Sequence, residues 1–404
     1  MLRGRSFLTV PLLVLCFVQG AQALDVDLSG YLDWRLIAPT GQQAWDKGGL
    51  GKFRLGNGEN VRFGEAVLQA NAAVADGLSA QVTARAEPTD SSVVDLLEAY
   101  ALYAPKSEGD VSWSVKAGAF FPAISLENDD IGWASPYTLT PSAINSWIGE
   151  EIRTLGGEAN LRWNTGGAGT LIATGALLCC NDEAGILMAD RGWAMDDRPT
   201  GLFERLRMPD ATYRLFRAPT PFYSGMFDEI DNRLGWYGGL TWQLPAGLGK
   251  LQALRYSNTG DPAAVTGRDT GWETKFWSFG ARTDIAGVTL IAQQLTGYTA
   301  VEVRGAEMVT KFQSAFLLAS YDWNDFRFSA REDLFQTRHD PASALFVEDG
   351  NAFTAAISWT GVPHLRVTAE VIAMDSRRGE YTLEARPAQL DSTQGQLSLR
   401  YSFD

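Results

Sequence analysis

Residues 24–37 read LDVDLSGYLDWRLI, and their two parities differ in kind. The even positions are Leu24, Val26, Leu28, Gly30, Leu32, Trp34 and Leu36, whereas the odd ones are Asp25, Asp27, Ser29, Tyr31, Asp33 and Arg35. Successive side chains of a strand point to opposite faces, so a period of two gives one apolar and one wet face. The pattern returns in Leu78, Ala80, Val82, Ala84 and Ala86 against Ser79, Gln81, Thr83, Arg85 and Glu87, and again in Leu365, Val367, Ala369, Val371 and Ala373 against Arg366, Thr368 and Glu370. Segments of about ten such residues, with the apolar face turned to lipid and the polar face to water, are what a transmembrane barrel requires.

The same reading places strands near 24–37, 59–74, 78–87, 93–104, 111–121, 148–163, 169–180, 232–244, 250–259, 271–284, 288–299, 310–322, 326–336, 351–360, 364–375 and 393–403. Short turns, such as 75–77, 285–287 and 323–325, alternate with longer stretches at 38–58, 122–147, 181–231, 260–270, 300–309, 337–350 and 376–392. The expectation is an all-β fold, a transmembrane antiparallel β-barrel of about 16 strands over residues 24–404. An even number of strands brings the first and last together, and closure removes both sheet edges.

Residues 1–23 carry Arg3 and Arg5, an apolar run from Phe7 to Val18 and the small-x-small triplet Ala21-Gln22-Ala23, which together read as a secretory signal peptide. No later segment approaches the roughly 20 apolar residues of a membrane-spanning helix. Of 34 basic residues, removal of Arg3 and Arg5 leaves 32 against 48 acidic ones, about −16 in net charge, so nucleic acid is excluded as a partner. Beyond Cys16 the only cysteines are the adjacent Cys179 and Cys180, read as two small residues at a strand end, with a strained vicinal disulfide as the alternative. That pair supplies neither a disulfide framework nor a zinc spacing, and no metal or cofactor is expected.

The final residues, QLSLRYSFD, put Leu397, Leu399, Tyr401 and Phe403 on one face. Here the chain resembles the outer-membrane porins of Gram-negative bacteria, whose last strand carries this alternation and ends in an aromatic residue. Asp404 departs from that ending by one residue. The resemblance implies an outer-membrane protein in contact with lipid and lipopolysaccharide, delivered through the barrel-assembly machinery by its C-terminal strand. The segments KAGAFFPAISLEN (116–128) and QQLTG (293–297) look like those of the phosphate-selective porin O/P group.

The longest polar interruption of the first half is KAGAFFPAISLENDDIGWASPYTLTPSAINSWIGEEIR (116–153). Its 122–147 portion is expected to fold into the barrel as a constriction loop, presenting Glu127, Asp129 and Asp130 to the lumen. Strand parity turns Arg35, Arg62, Arg85, Lys116, Arg366 and Arg400 inward to face them. Opposed charges in a narrow wet channel orient water and pass small polar solutes. The 181–231 segment, with Trp193, Phe203, Tyr213 and Phe227 among Arg191, Arg198 and Arg205, is long enough to lid or plug the mouth.

These features point to a porin allowing passive diffusion of small hydrophilic solutes and ions, with weak cation preference. The alternatives are a channel selective for anions such as phosphate or for sugar or aromatic solutes, and an occluded structural barrel. Enzymatic function is not expected: the chain has two histidines, His339 and His364, and neither sits beside a nucleophile in sequence. Small outward residues, Ala66, Ala70 and Ala72 on the second strand and Ala80, Ala84 and Ala86 on the third, let two barrel walls approach, and a homotrimer contact is expected there.

Overall fold

A computed structural model describes residues 25–38, 42–56, 61–88, 93–216 and 222–404, so the expected signal peptide at 1–23 lies outside the described residues. The wall consists of β1 (Asp25–Ala38), β2 (Val61–Ala75), β3 (Leu78–Ala86), β4 (Val94–Tyr103), β5 (Val111–Phe120), β6 (Thr154–Asn164), β7 (Thr170–Cys179) and β8 (Gly235–Gln243) in its first half. The second half adds β9 (Lys250–Ser257), β10 (Glu273–Ile285), β11 (Val288–Val303), β12 (Ala306–Trp323), β13 (Phe326–Asp340), β14 (Glu348–Val362), β15 (Leu365–Arg378) and β16 (Gln389–Phe403). They pair in chain order as a closed barrel, and β16 returns antiparallel to β1 in a register running from Gly30 opposite Phe403 to Ala38 opposite Gly395. No helix among the described residues is long and apolar enough to cross a membrane, and the outward faces carry the apolar side chains: Leu28, Trp34, Leu36, Leu240, Leu317, Ile357, Val371 and Leu399 are all exposed.

Ring side chains mark the band's edges. Trp113, Trp163, Trp242 and Phe326 are exposed near the short turns, with Trp34 and Trp236 toward the long loops. Amphipathic rings favour such boundary positions.

Three expectations need correction. Residues 148–153 were expected to open a strand; instead α1 (Ala143–Glu151) takes in 148–151, Ile152 ends the helix, and β6 begins at Thr154. Residues 300–309 are not a long loop, because β11 and β12 run on to Val303 and Ala306 and a two-residue turn joins them. Within β4 the register shifts, with Glu98 opposite Thr83 but Leu96 opposite Ala84, and the extra Leu97 reverses the facing of all that follow. Cys179 and Cys180 are joined in a vicinal disulfide at the end of β7.

One missing side chain lets β1 lie close to its neighbours. A Cβ on Gly30 would lie 2.2 Å from the carbonyl oxygen of Val67 on β2 and 2.8 Å from the Phe403 ring on β16. Gly30→Val is therefore expected to force β1 away from the β2 backbone at Val67, while the Phe403 ring tip can move aside. Cold-gel mobility of refolded protein would report a large loss of the compact species, whereas a wild-type folded fraction would disprove the role of this contact.

Candidate pore

Residues 121–153, between β5 and β6, fold inside the barrel. Phe121 stacks on Trp133 with ring centroids 4.1 Å apart. Ser142 caps α1 by accepting from the Asn145 N–H, and every residue of the helix is buried. A helix with no solvated face must be packed all round. Trp147 provides the centre of that packing, 5.4 Å from the Phe276 ring and 5.0 Å from Phe312 on the opposite wall.

Polar contacts fix the segment to the wall. Arg331 on β13 pairs with Glu127 and Asp333, each at 2.6 Å, and donates to the carbonyl oxygens of Thr140 and Pro141. Glu370 on β15 accepts from the N–H groups of Leu139 and Thr140, and Asp333 from that of Ala143. Toward the short turns, Asp129 meets Arg282 at 2.9 Å and Asp130 meets Arg366 at 3.6 Å. Wall charges thus close the backbone groups of an irregular segment that otherwise has no ladder to join.

A second segment enters from the β7–β8 connection. Residues 181–200, including α2 (Ile186–Asp190), are buried almost throughout. Arg191 forms a two-pronged pair with Glu150 of α1, and Trp193 donates from its backbone to Glu348 and from its indole to the Gln336 carbonyl. The third segment, residues 42–56, supplies Lys52, which pairs with Glu348 and donates to the Trp193 carbonyl, and Arg54, which pairs with Glu87 at 2.8 Å. Asp197 binds Arg35 at 2.7 Å and Arg54 at 3.0 Å. Burial opposes its charge, but the two guanidiniums outweigh burial and hold the carboxyl at about 2.

The sequence-derived site residues therefore fall into two groups. Of the acids, Asp129 and Asp130 remain part-exposed, while Glu127 is fully buried against Arg331. Of the basic candidates, only Arg366 reaches a loop acid. Arg35 binds Asp33 and Asp197; Arg62 binds Glu87; Arg85 reaches Glu87 and Glu204; Lys116 lies 3.5 Å from Glu158; Arg400 binds Asp33. Instead of standing across open water from the loop acids, the β1–β3 arginines are neutralised by wall carboxylates and by the 181–231 segment. The loop's other arginine partners, Arg282 and Arg331, share inward parity with Asp284 and Asp333, a mixed-charge signal present in the sequence. What the sequence does not carry is which of them the folded loop reaches.

The remaining space is uneven. A cavity of about 520 Å³ at the short-turn end is lined by Asn160, Arg162, Thr174, Thr241, Lys250 and Gln252. A separate crevice between residues 132–141 and Tyr31, Asp197, Arg366 and Arg400 holds about 20 Å³, room for little more than one water.

No protein-family model matches the chain, and no curated protein matches it in sequence. Its fold is that of outer-membrane porins. The structure of the outer-membrane channel DcaP of Acinetobacter baumannii is similar with a TM-score of 0.58 at 11% identity, over 94% of this chain and 97% of that one. Salmonella typhi OmpF, solved in complex with daunomycin, gives 0.56 at 12% identity, covering 94% and 97%. An anion-selective porin from Comamonas acidovorans gives 0.55 at 11%, covering 94% and 100%.

Proposed function

We propose that the chain is an outer-membrane channel for passive diffusion of small hydrophilic solutes and ions, with a throat narrowed by its own loops. The observation that supports this most is the charged, part-exposed edge of the inserted loop: Asp129 and Asp130 meet Arg282 and Arg366 on the short-turn side, toward a cavity of mixed lining to which Arg162, Lys250 and Gln252 contribute. Fixed charges of both signs let small polar solutes exchange hydration for protein contacts and hold back apolar ones. The throat's small section makes it a low-conductance channel. The net charge of about −16 outside residues 1–23 supports a weak preference for cations.

The test is single-channel conductance in a planar bilayer, with the reversal potential under a salt gradient. Small ohmic steps with mild cation preference support the reading. Absence of conductance would favour the occluded barrel, to which the burial of Arg35, Arg85 and Arg400 also points.

Neutralising Asp129 and Asp130 together leaves Arg366 without its loop acid and Arg282 with Asp284 alone, 3.7 Å away. The double change to Asn is expected to move the reversal potential toward anions, and an unchanged potential would remove these acids from the throat. Glu127→Gln is a different experiment: that carboxylate is buried, and its loss should loosen the loop before it alters selectivity.

We also propose a homotrimer with contact through the outward alanines of β2 and β3, which native mass measurement would test. Lipid and lipopolysaccharide surround the rest of the wall. A polar hollow of about 500 Å³, lined by the outward-facing Gln313, Gln336, Asn351, Asp375, Arg377 and Gln389, suits headgroup contact near the long-loop rim. The final strand is the segment the barrel-assembly machinery would engage, and residues 1–23 the signal that exports the chain.

A further inference from the structure

The cavity at the short-turn end is charged with one sign only. Arg162 of β6 and Lys250 of β9 are its ionic members, and among the described residues no carboxylate lines it. Hydroxyl and amide side chains, those of Ser112, Thr174, Thr241 and Gln243 among them, supply the other polar surface. At about 520 Å³ it has room for a solute of several atoms.

Register brings the two cations to one place. Arg162 donates to Gln243 Oε1 at 2.7 Å, and Gln243 of β8 stands directly opposite Lys250. On its other side Lys250 stands opposite Arg282 of β10, and like charges so placed destabilise a sheet. Arg282 is answered by Asp129 at 2.9 Å and Asp284 at 3.7 Å. Among the described residues Lys250 has no ion pair and no side-chain hydrogen bond, and Arg162 has no partner but Gln243. The hydroxyl of Ser112, opposite Arg162 on β5, is likewise without a hydrogen bond there.

We propose that this cavity binds a small oxyanion of two negative charges. Its oxygens accept from the unused N–H groups of Arg162, from the Lys250 ammonium and from the Ser112 hydroxyl, while Gln243 holds the guanidinium beside Lys250. Hydrogen bonds from charged donors to an anion are the strong kind, and two cations without acids of their own favour a dianion over a monoanion. A neutral sugar would find hydroxyl and amide partners here but leave both charges uncompensated. Binding does not require that the barrel conducts. A bound dianion cancels both cations, so the site is compatible with a pore that prefers cations.

Acylation of lysines by a succinimidyl ester in the full-length, detergent-refolded barrel, read by mass spectrometry of its peptides, tests the proposal at one side chain. At constant ionic strength, saturating sulfate is expected to slow modification of Lys250 at least about fivefold, and acetate to leave it unchanged. Lys311, exposed at the long-loop end, should react equally in both salts. Succinate in place of sulfate tells an extended dianion from a compact one. Arg162→Gln should remove most of the protection. Gln243→Glu, which sets a carboxylate between the two cations, should abolish the dependence on sulfate with the cold-gel mobility of the folded barrel retained. Protection of Lys250 by neither dianion, equal protection of Lys311, or full protection in Arg162→Gln would overturn the assignment.

Discussion

Arg331→Met is expected to destabilise the folded barrel by about 3–5 kcal/mol and to raise its single-channel conductance with irregular, fluctuating steps. The side chain is fully buried and holds two carboxylates, Glu127 on the inserted loop and Asp333 on its own strand. It also donates to Thr138, Thr140, Pro141 and Thr354. Methionine fills a similar volume but leaves both carboxylates in a dry interior without a cation. Breaking a buried pair from one side costs about this much, because the remaining charge keeps its desolvation penalty.

The loop has a cheaper response than the wall. Asp333 is fixed in the sheet, whereas residues 121–142 can move Glu127 toward water by giving up contacts with β13. That displacement would widen the throat, so one substitution links stability to conductance. Arg331→Lys should fall between, since it restores one charge but not the planar fork that reaches six partners. Adding Glu127→Gln and Asp333→Asn to Arg331→Met should recover most of the lost stability. Urea unfolding and bilayer recordings on the same four proteins check the argument. Unchanged conductance in a clearly destabilised Arg331→Met protein would show that the loop is held by Trp147 packing and not by this ion pair.

The wall was legible because its signal is local. Outward Leu28, Trp34, Leu36 and Val371 alternate with inward Asp33, Arg35 and Glu370 wherever the pairing is regular, and periodicity registers that without reference to any distant residue. It failed at β4, where a bulge inverts the facing, and at residues 148–153, where α1 carries no polar stripe to mark it as a helix. The inserted loop was legible as an insertion from its length and its aromatic and proline content. Its partners were not, because Glu127 and Arg331 are 204 residues apart and nothing in either neighbourhood specifies the other. The same holds for Asp197, whose partners Arg35 and Arg54 lie on a different strand and a different loop.

Deleting residues 183–228 and joining Asp182 to Glu229 by a short Gly/Ser connector is expected to raise conductance several-fold and turn selectivity toward anions. The ends of the cut already lie together, because Asp182 accepts from the N–H groups of Ile230 and Asp231 at 2.6 and 3.0 Å. Strands β7 and β8 should therefore keep their pairing. The removed segment carries seven acidic and six basic residues, so the change in total charge is too small to set selectivity. Its placement decides the matter. Asp197 and Glu204 leave the neighbourhood of Arg35, Arg54 and Arg85, and Arg198 leaves that of Glu87. The deletion takes two carboxylates, Asp197 and Glu204, and one guanidinium, Arg198, from that cluster, and so leaves the side of Arg35, Arg54 and Arg85 more positive by one charge. Water entering the vacated space would hydrate that excess, and a lined surface of net positive sign draws anions through a narrow passage. Conductance recordings under a salt gradient separate the two parts of the expectation. A larger conductance without an anion shift would mean that the arginines stay paired within the wall, and an unchanged conductance would place the limiting section at residues 121–153 alone.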